Sequence, residues 1–451
     1  MNNDHFITHP GGFEHEPALP GRKEGNMPTI KIYQTDVCRK EACLQVASRI
    51  DTAERCQALG LRHVPGTILI ELTETLFYPE GGGQPCDLGT MDGNTLLDVF
   101  EKKESGIVYH RLSDSIESRG LEPGKQVSCI LDWDRRLTHM QLHSAEHLVS
   151  GLIWEMYGGA NKGFHMGKDY ATIDILFPDS SIPEFSAEML EQIEIAANKA
   201  VWEDAEIVTR FCTTREEAAA YPLRKPMDLD EDISVVVIGG GRQPYDCCAC
   251  CGTHVPRTGS IGLIKLLKAE NYKGMTRISL TAGMPAYRDA ALRQKITTTL
   301  CGRHSTEIDH LMERIDIQES KNGTARKELY DLRKDLLQEE SRALLDMWAA
   351  PTDGKETSIF VHRYRRYSAD DLQTLARSLE KEITRPVAFV SERETTSVLA
   401  SSGNPDCGKL VRDYANLYRG KGGGNAQLAR AIFRKREDLD LFLDLIEKHL
   451  R

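Results

Sequence analysis

Between residues 131 and 135 the hydrophobic period of the chain changes, and with it the kind of structure the chain can form. Before the switch, apolar residues come in short stretches broken by turn residues. Thr67–Leu72 (TILIEL) is β-branched and apolar and predicts a buried strand. Gly81-Gly82-Gly83 then interrupts regular structure, and Gly106–Tyr109 and Val127–Leu131 are further strand candidates. After the switch, Met140, His143, His147, Gly151 and Trp154 recur three or four apart, so they share one helix face. A strand at 172–177, a helix at 185–202 and a hairpin of 261–267 with 275–282 follow, the hairpin turning near Asn271 and Gly274.

The rest of the chain divides in the same way. Residues 288–350 are helix-forming, with Ile308, Leu311 and Ile315 and then Leu329, Leu332 and Leu336 at helical spacing. Asn322-Gly323 between them predicts a helical hairpin. Pro351–Gly354 reads as a linker. Residues 355–451 alternate again, with strands at 359–362 and 387–390 and helices at 370–382, 406–418 and 427–433. The expected class is α+β, in five parts. These are a disordered tail (1–27), a small β-barrel-like domain (28–130), an α+β domain carrying a metal site (131–287), a helical hairpin (288–350) and a small α/β domain (355–451).

Charge and cysteine usage narrow the function. The net charge of -11 speaks against a non-specific nucleic-acid coat, yet residues 401–451 carry +3 and the remainder -14. The run His362–Tyr367 (HRYRRY) adds a basic-aromatic patch suited to RNA contacts. No apolar run is long enough for a membrane span, and no secretory leader is visible, so a cytoplasmic protein is expected. Twelve cysteines are too few for a disulfide scaffold, and the crowding of Cys247, Cys248, Cys250 and Cys251 reads as metal-binding or catalytic thiols.

His143 and His147 lie one helical turn apart, close enough to share an ion. Cys250-Cys-Gly-Thr-His254 offers a thiolate and an imidazole. Two histidines, a cysteine and a third histidine suit Zn²⁺, one per chain. By spacing alone, Cys250-x₃-His254 and Cys251-x₂-His254 both fit. The letters His143-x-x-Glu146-His147 also spell an inverted zinc-peptidase motif with Glu146 as general base. A closed, purely structural zinc in an RNA-binding protein is a third reading.

The motifs taken together resemble the freestanding alanyl-tRNA editing proteins, in the long form that also carries the C-terminal domain of alanyl-tRNA synthetase. They are Thr75-Leu-Phe-Tyr-Pro-Glu-Gly-Gly-Gly-Gln84, Asp134-Arg-Arg136, His143-Ser-Ala-Glu-His147, Gly163-Phe-His165, Cys250-Cys-Gly-Thr-His254, Lys273-Gly274 with Arg277, and Gly420-Lys-Gly-Gly-Gly424. The resemblance covers about 28–290 well and 355–451 more loosely. It implies a deacylase that hydrolyses seryl-tRNA(Ala), with glycyl-tRNA(Ala) as a further substrate, at the aminoacyl ester. It assigns metal ligation to His143, His147, Cys250 and His254. Cys251 stands where the family has glycine. The resemblance assigns chemistry to Thr75, Gly82, Gly83 and Gln84, with Thr75 reading the serine hydroxyl. Arg277, Arg419, Lys421 and Gly423 are the expected RNA contacts. The helical hairpin and the C-terminal domain are the expected surfaces for any homodimer.

Overall fold

The computed structural model describes residues 27–177, 185–226, 231–240, 243–349 and 358–451. The expected tail, apart from Met27, and the expected linker at 351–354 lie outside them. The chain divides into two compact units, one up to Thr297 and one from Thr298 to Arg451.

The first unit begins with a closed six-stranded barrel. Its strands are β1 (Glu41–Ile50), β2 (Thr67–Leu72), β3 (Gly89–Met91), β4 (Asn94–Lys102), β5 (Ile107–Ser113) and β6 (Gln126–Leu131), in the order β1-β2-β5-β4-β3-β6. β1 and β6 alternate buried and exposed residues, so one face fills the barrel with Leu44, Val46, Val127 and Cys129. Burying that face stabilises the barrel by roughly 1.5–3 kcal/mol per large side chain.

Helix α1 (Trp133–Tyr157) leaves the barrel directly. Asp132 caps its start by accepting from Arg135 N at 3.1 Å, and Gly158 ends it in a left-handed conformation (φ 67°). Around α1 fold β7 (Ala160–Met166), β8 (Ala171–Leu176), α2 (Ala187–Trp202), β9 (Ile207–Thr214), β10 (Glu231–Ile238), β11 (Asp246–Ala249), β12 (Ile264–Tyr272) and β13 (Met275–Ala282). They form two antiparallel sheets, β12-β13-β8-β7 and β9-β10-β11. Leu142, Leu148, Val149 and Ile153 of α1 pack with Ile173, Val236, Ile278 and Leu280 from both sheets. Helix α3 (Gly283–His304) follows β13.

The second unit holds α4 (Leu311–Ala349), β14 (Phe360–Tyr364), α5 (Ala369–Ser378), β15 (Val387–Ser391), β16 (Thr396–Ala400), α6 (Cys407–Tyr414), β17 (Lys421–Gly424), β18 (Leu428–Ile432) and α7 (Arg436–Leu450). The sheet order is β14-β15-β16-β18-β17. Leu337 and Leu344 of α4 pack against Leu372, Leu375 and Phe389. The fold class is therefore α+β with a barrel at the start, as the sequence predicts.

Two local expectations fail. Asn322-Gly323 does not break a helix: both residues lie inside the 39-residue α4, and the break comes at 305–310. A glycine costs a helix about 1 kcal/mol, too little to stop one of this length when its flanks keep propagating. Residues 427–433 form no helix either. Leu428–Ile432 is β18, with Ala429 and Ala431 buried and the residues between them more open, a period of two that reads as helical only if small residues are given no weight. The closing helix α7 went unanticipated.

Candidate metal centre

The first strand of the site is a turn. Gly81 and Gln84 exchange both backbone hydrogen bonds (3.1 and 2.9 Å), leaving Gly82 and Gly83 as a two-residue turn with φ of 58° and 84°. That geometry needs positive φ at both central positions, so two glycines stand there. The loop is clamped to α1 by a fully buried ion pair. Asp87 accepts from Tyr78 N (2.7 Å) and from Arg136, whose guanidinium also reaches Leu76 O (2.7 Å) and Val37 O (3.1 Å).

Gln84 is thereby delivered to the helix. Its Oε1 lies 2.9 Å from His143 Nδ1 and accepts from Thr253 N (3.1 Å), while its Nε2 donates to Thr253 Oγ1 (2.9 Å). One side chain thus ties the glycine loop, α1 and the 250–254 loop together. A Cβ on Gly252 would lie 2.1 Å from His143 Cε1, so only glycine lets the two loops meet the imidazole.

The donor atoms of His143, His147, Cys250 and His254 all lie within 4.8 Å of one another. Cys250 Sγ is 3.3 Å from His143 Nε2. The three imidazoles are 2–5 % exposed, with ring centroids 4.6–5.3 Å apart. Cys251 is exposed and outside the cluster, its sulfur 3.9 Å from Tyr78 Oη.

Each imidazole is turned by a partner on its far nitrogen. His143 Nδ1 meets Gln84, and His147 Nδ1 meets Asp246 Oδ2 at 2.8 Å. His254 Nδ1 faces Ser144 Oγ at 3.3 Å, and its Nε2 is buried with no hydrogen-bond partner. An orphaned ring nitrogen beside two imidazoles and a thiol is a donor suited to a Lewis acid, because a buried polar atom otherwise finds a hydrogen-bond partner. The residues therefore fit a metal ion, and the N₃S donor set falls within the chemistry zinc accepts.

Electrostatics agree. Burial opposes charge on Cys250, but His143 and His147 outweigh it and hold the thiol well below its usual range, toward the thiolate that ligation needs. Burial pushes His254 down to about 4, with His143 adding to the effect, so its imidazole stays neutral. Arg224, bidentate on Asp246 at 2.6 and 3.2 Å, helps keep that carboxylate ionised beside His147 against the cost of burial.

Other expected site residues lie as follows. Thr75 is fully buried. Its Oγ1 lies 2.8 Å from His110 Nε2 and accepts from Phe77 N at 3.1 Å. Since His110 Nδ1 is 3.0 Å from Ile70 O and must donate there, the Thr75 hydroxyl donates to Nε2 and keeps one acceptor lone pair. Glu146 Oε1 accepts from Ser150 (2.8 Å) and Asn161 (2.6 Å), and its Oε2 stands 3.7 Å from His147 Nε2. Arg277 forks onto Asp174 (2.7 and 2.8 Å) and lies 3.4 Å over Tyr272, which leaves it committed within the fold. In the second unit, Arg419 has a left-handed backbone (φ 58°), and Lys421 and Gly423 lie on the edge strand β17. The basic-aromatic run is partly absorbed too. Arg363 pairs with Asp440 (2.6 Å), and Tyr364 Oη donates to Glu340 (2.8 Å). Sequence reading missed Asp246 and Arg224. The aspartate immediately before the cysteine cluster was the only signal.

Comparison with known proteins matches the threonyl and alanyl tRNA synthetase second additional domain to residues 233–279 and the DHHA1 domain to residues 356–451. The alanyl-tRNA editing protein AlaX-L of Pyrococcus horikoshii is 27% identical over 407 residues, which is 87% of this chain and 95% of that protein. The similarity runs over nearly the whole length of that editing protein. The alanine–tRNA ligase of Methanobrevibacter smithii is 29% identical over 98% of this chain but only 49% of the ligase, so the chain spans about half of that enzyme. The solved C-Ala domain of Aquifex aeolicus alanyl-tRNA synthetase is 17% identical, covers 20% of this chain and 89% of that domain, and aligns with a TM-score of 0.19. Among the described residues, no helix is long and apolar enough to cross a membrane.

Proposed function

We propose that this chain is a cytoplasmic aminoacyl-tRNA deacylase that hydrolyses tRNA(Ala) mischarged with serine, and with glycine, acting on the released aminoacyl-tRNA. The observation that carries the reading is Gln84. It joins the glycine loop, a metal-competent histidine and the Cys250–His254 loop in one hydrogen-bonded unit, in a chain aligned almost end to end with an alanyl-tRNA editing protein.

Serine and glycine differ from alanine by too little for an apolar pocket to separate them well, about 1–3 kcal/mol per group. For serine, a second, hydrolytic site can select on the hydroxyl that alanine lacks. The unused lone pair of Thr75 is suited to accept from the serine hydroxyl, once substrate opens the buried neighbourhood. His143, His147, Cys250 and His254 would hold one Zn²⁺, which supplies Lewis-acid polarisation when bound. Gln84, Asp246 and Ser144 orient the imidazoles. Glu146, with one oxygen fixed by Ser150 and Asn161, holds its other oxygen beside the cluster, where it can take a proton from water. The N–H groups of Gly82 and Gly83 lie outside the turn's own pair of bonds and are free to donate to a developing oxyanion. The second unit, through Arg419, Lys421 and Gly423, would hold the tRNA body and offer a surface for a homodimer.

The test is deacylation of matched seryl-, glycyl- and alanyl-tRNA(Ala). Release of serine with alanine spared is expected; intact seryl-tRNA(Ala) after incubation with metal-loaded protein would end the proposal. Cys250→Ala is expected to lose metal and activity, and Cys251→Ala to keep its metal. Equal metal loss in both would reject the ligand choice. Peptide cleavage abolished by Glu146→Gln would instead favour a zinc peptidase.

A further inference from the structure

Glu146 stands on α1 immediately before His147, and the two oxygens of its buried carboxylate have unlike surroundings. Oε1 accepts from Ser150 Oγ, one turn further along α1, and from Asn161 Nδ2 on β7. Asn161 is itself held: its Oδ1 accepts from Gly163 N at 3.0 Å, and its Nδ2 also donates to Ser150 Oγ at 2.9 Å. That framework fixes the carboxylate from one side. Oε2 receives no hydrogen bond from another described residue, and its charged neighbour is His147 Nε2 at 3.7 Å. That nitrogen faces the cluster, because His147 Nδ1 is turned to Asp246. Glu146 is not one of the four mutually close donors, so its free oxygen stands at the rim of the cluster.

A buried carboxylate with a bare oxygen is costly unless a donor or a cation completes it. The other carboxylates around the centre are already completed. Asp246 is shared by His147 and Arg224, and Asp87 is held by Arg136 and Tyr78 N. Glu146 is thus the acidic group beside the cluster that still has an acceptor to offer a ligand.

We propose that Glu146 Oε2 receives the α-amino group of the aminoacyl ester, so that the centre selects esters bearing a free amine over the same esters without it. The inference rests on the deacylase reading for its ester. Complementarity picks out the amine among the substrate's groups. The carbonyl oxygen is an acceptor and suits the N–H groups of the glycine turn or a Lewis acid, and a carboxylate would repel it. The α-amino group brings donors and positive charge, which a carboxylate accepts and the imidazoles and thiolate of a metal-loaded cluster do not. It lies two bonds from the carbonyl carbon, so an ester held at the cluster carries its amine to the rim. A carboxylate oxygen has two lone-pair sites, and Oε2 can hold the amine with one while the other accepts a proton from water. Glu146 is then a specificity-determining residue, and Ser150 and Asn161 are the positioning residues behind it.

The full metal-loaded chain is given two short CCA-ended RNAs, one esterified with serine and one with 3-hydroxypropionate, which differs from serine only in lacking the amine. Matching strands with the ester replaced by a stable amide report binding. The wild-type protein is expected to favour the serine form about 10–100-fold, in kcat/KM for the esters and in Kd for the amides. Glu146→Gln keeps an oxygen for Ser150 and Asn161 and should keep its metal, but it should bind the two amides alike. Ser150→Ala, which frees Oε1 without removing the charge, should narrow the preference by a smaller factor. A residue that only takes a proton from water would lower both ester rates equally and leave the binding preference intact. Equal wild-type affinity for the two amides, binding of neither, or the full preference in Glu146→Gln would each overturn the amine site. A wild-type chain that shows the preference in binding yet leaves the seryl ester intact would sink the deacylase reading alone.

Discussion

The metal centre and the edge strand β17 are both glycine-marked, and they are specified in opposite ways. At the metal centre every imidazole is buried and has a named partner, and the loop, helix and strand are joined through Gln84 and Asp246. On β17, Lys421 and Gly424 are exposed and Gly423 has open space where a side chain would be. A centre proposed to do chemistry needs fixed atoms, and this one is over-determined by hydrogen bonds. A surface proposed to take and release tRNA needs charge and clearance more than fixed partners. Substitutions should therefore cost stability and metal in the first region, and salt-dependent affinity in the second.

The clamp under the glycine loop gives the largest expected effect. Asp87→Ala leaves Arg136 buried without its counter-ion and should destabilise the first unit by about 3–5 kcal/mol, read by denaturant melts. A loss below 1 kcal/mol would show that the loop is not held through this pair. Asp246→Asn should lower metal affinity about 10–100-fold in a chelator competition, because it removes the negative charge and leaves one accepting oxygen where His147 and Arg224 now share two. Unchanged affinity would mean that Asp246 does not orient His147.

A pH effect comes next. Burial holds His110 down to about 4, below its ordinary 6.5, so the unfolded chain binds a proton in that window and the folded chain does not. Stability should fall as pH drops from 6.5 toward 4, with about 2 kcal/mol of the loss at pH 5 owed to this residue. In His110→Gln that part of the slope should vanish; an unchanged slope would mean the folded imidazole titrates normally. The smallest effect is in the second region. Lys421→Ala should reduce tRNA affinity by less than tenfold, lower the salt slope by about one, and leave the melting profile unaltered. A stability loss there would erase the contrast.

The sequence showed the site's anchors and hid its framework. Thr67–Leu72 is a strand with the predicted bounds, and the His143/His147 face is helical, because burial and periodicity act over neighbouring residues. Cys250 and His254 were visible because ligand types are rare and closely spaced. Asp246 and Arg224 were not, since one aspartate carries no period and its partners are 99 and 22 residues away. The alternation of β18 is carried by small alanines, which give little hydrophobic signal, and the turn signal of Asn322-Gly323 is outweighed by the helix continuing on both sides.

The account stands on the cluster being the hydrolytic centre. Its most direct test is the rate of serine release from seryl-tRNA(Ala), measured as zinc is returned stepwise to metal-stripped protein. The rate should rise in proportion to bound metal and level off at one ion per chain. Full activity in the stripped protein would contradict it.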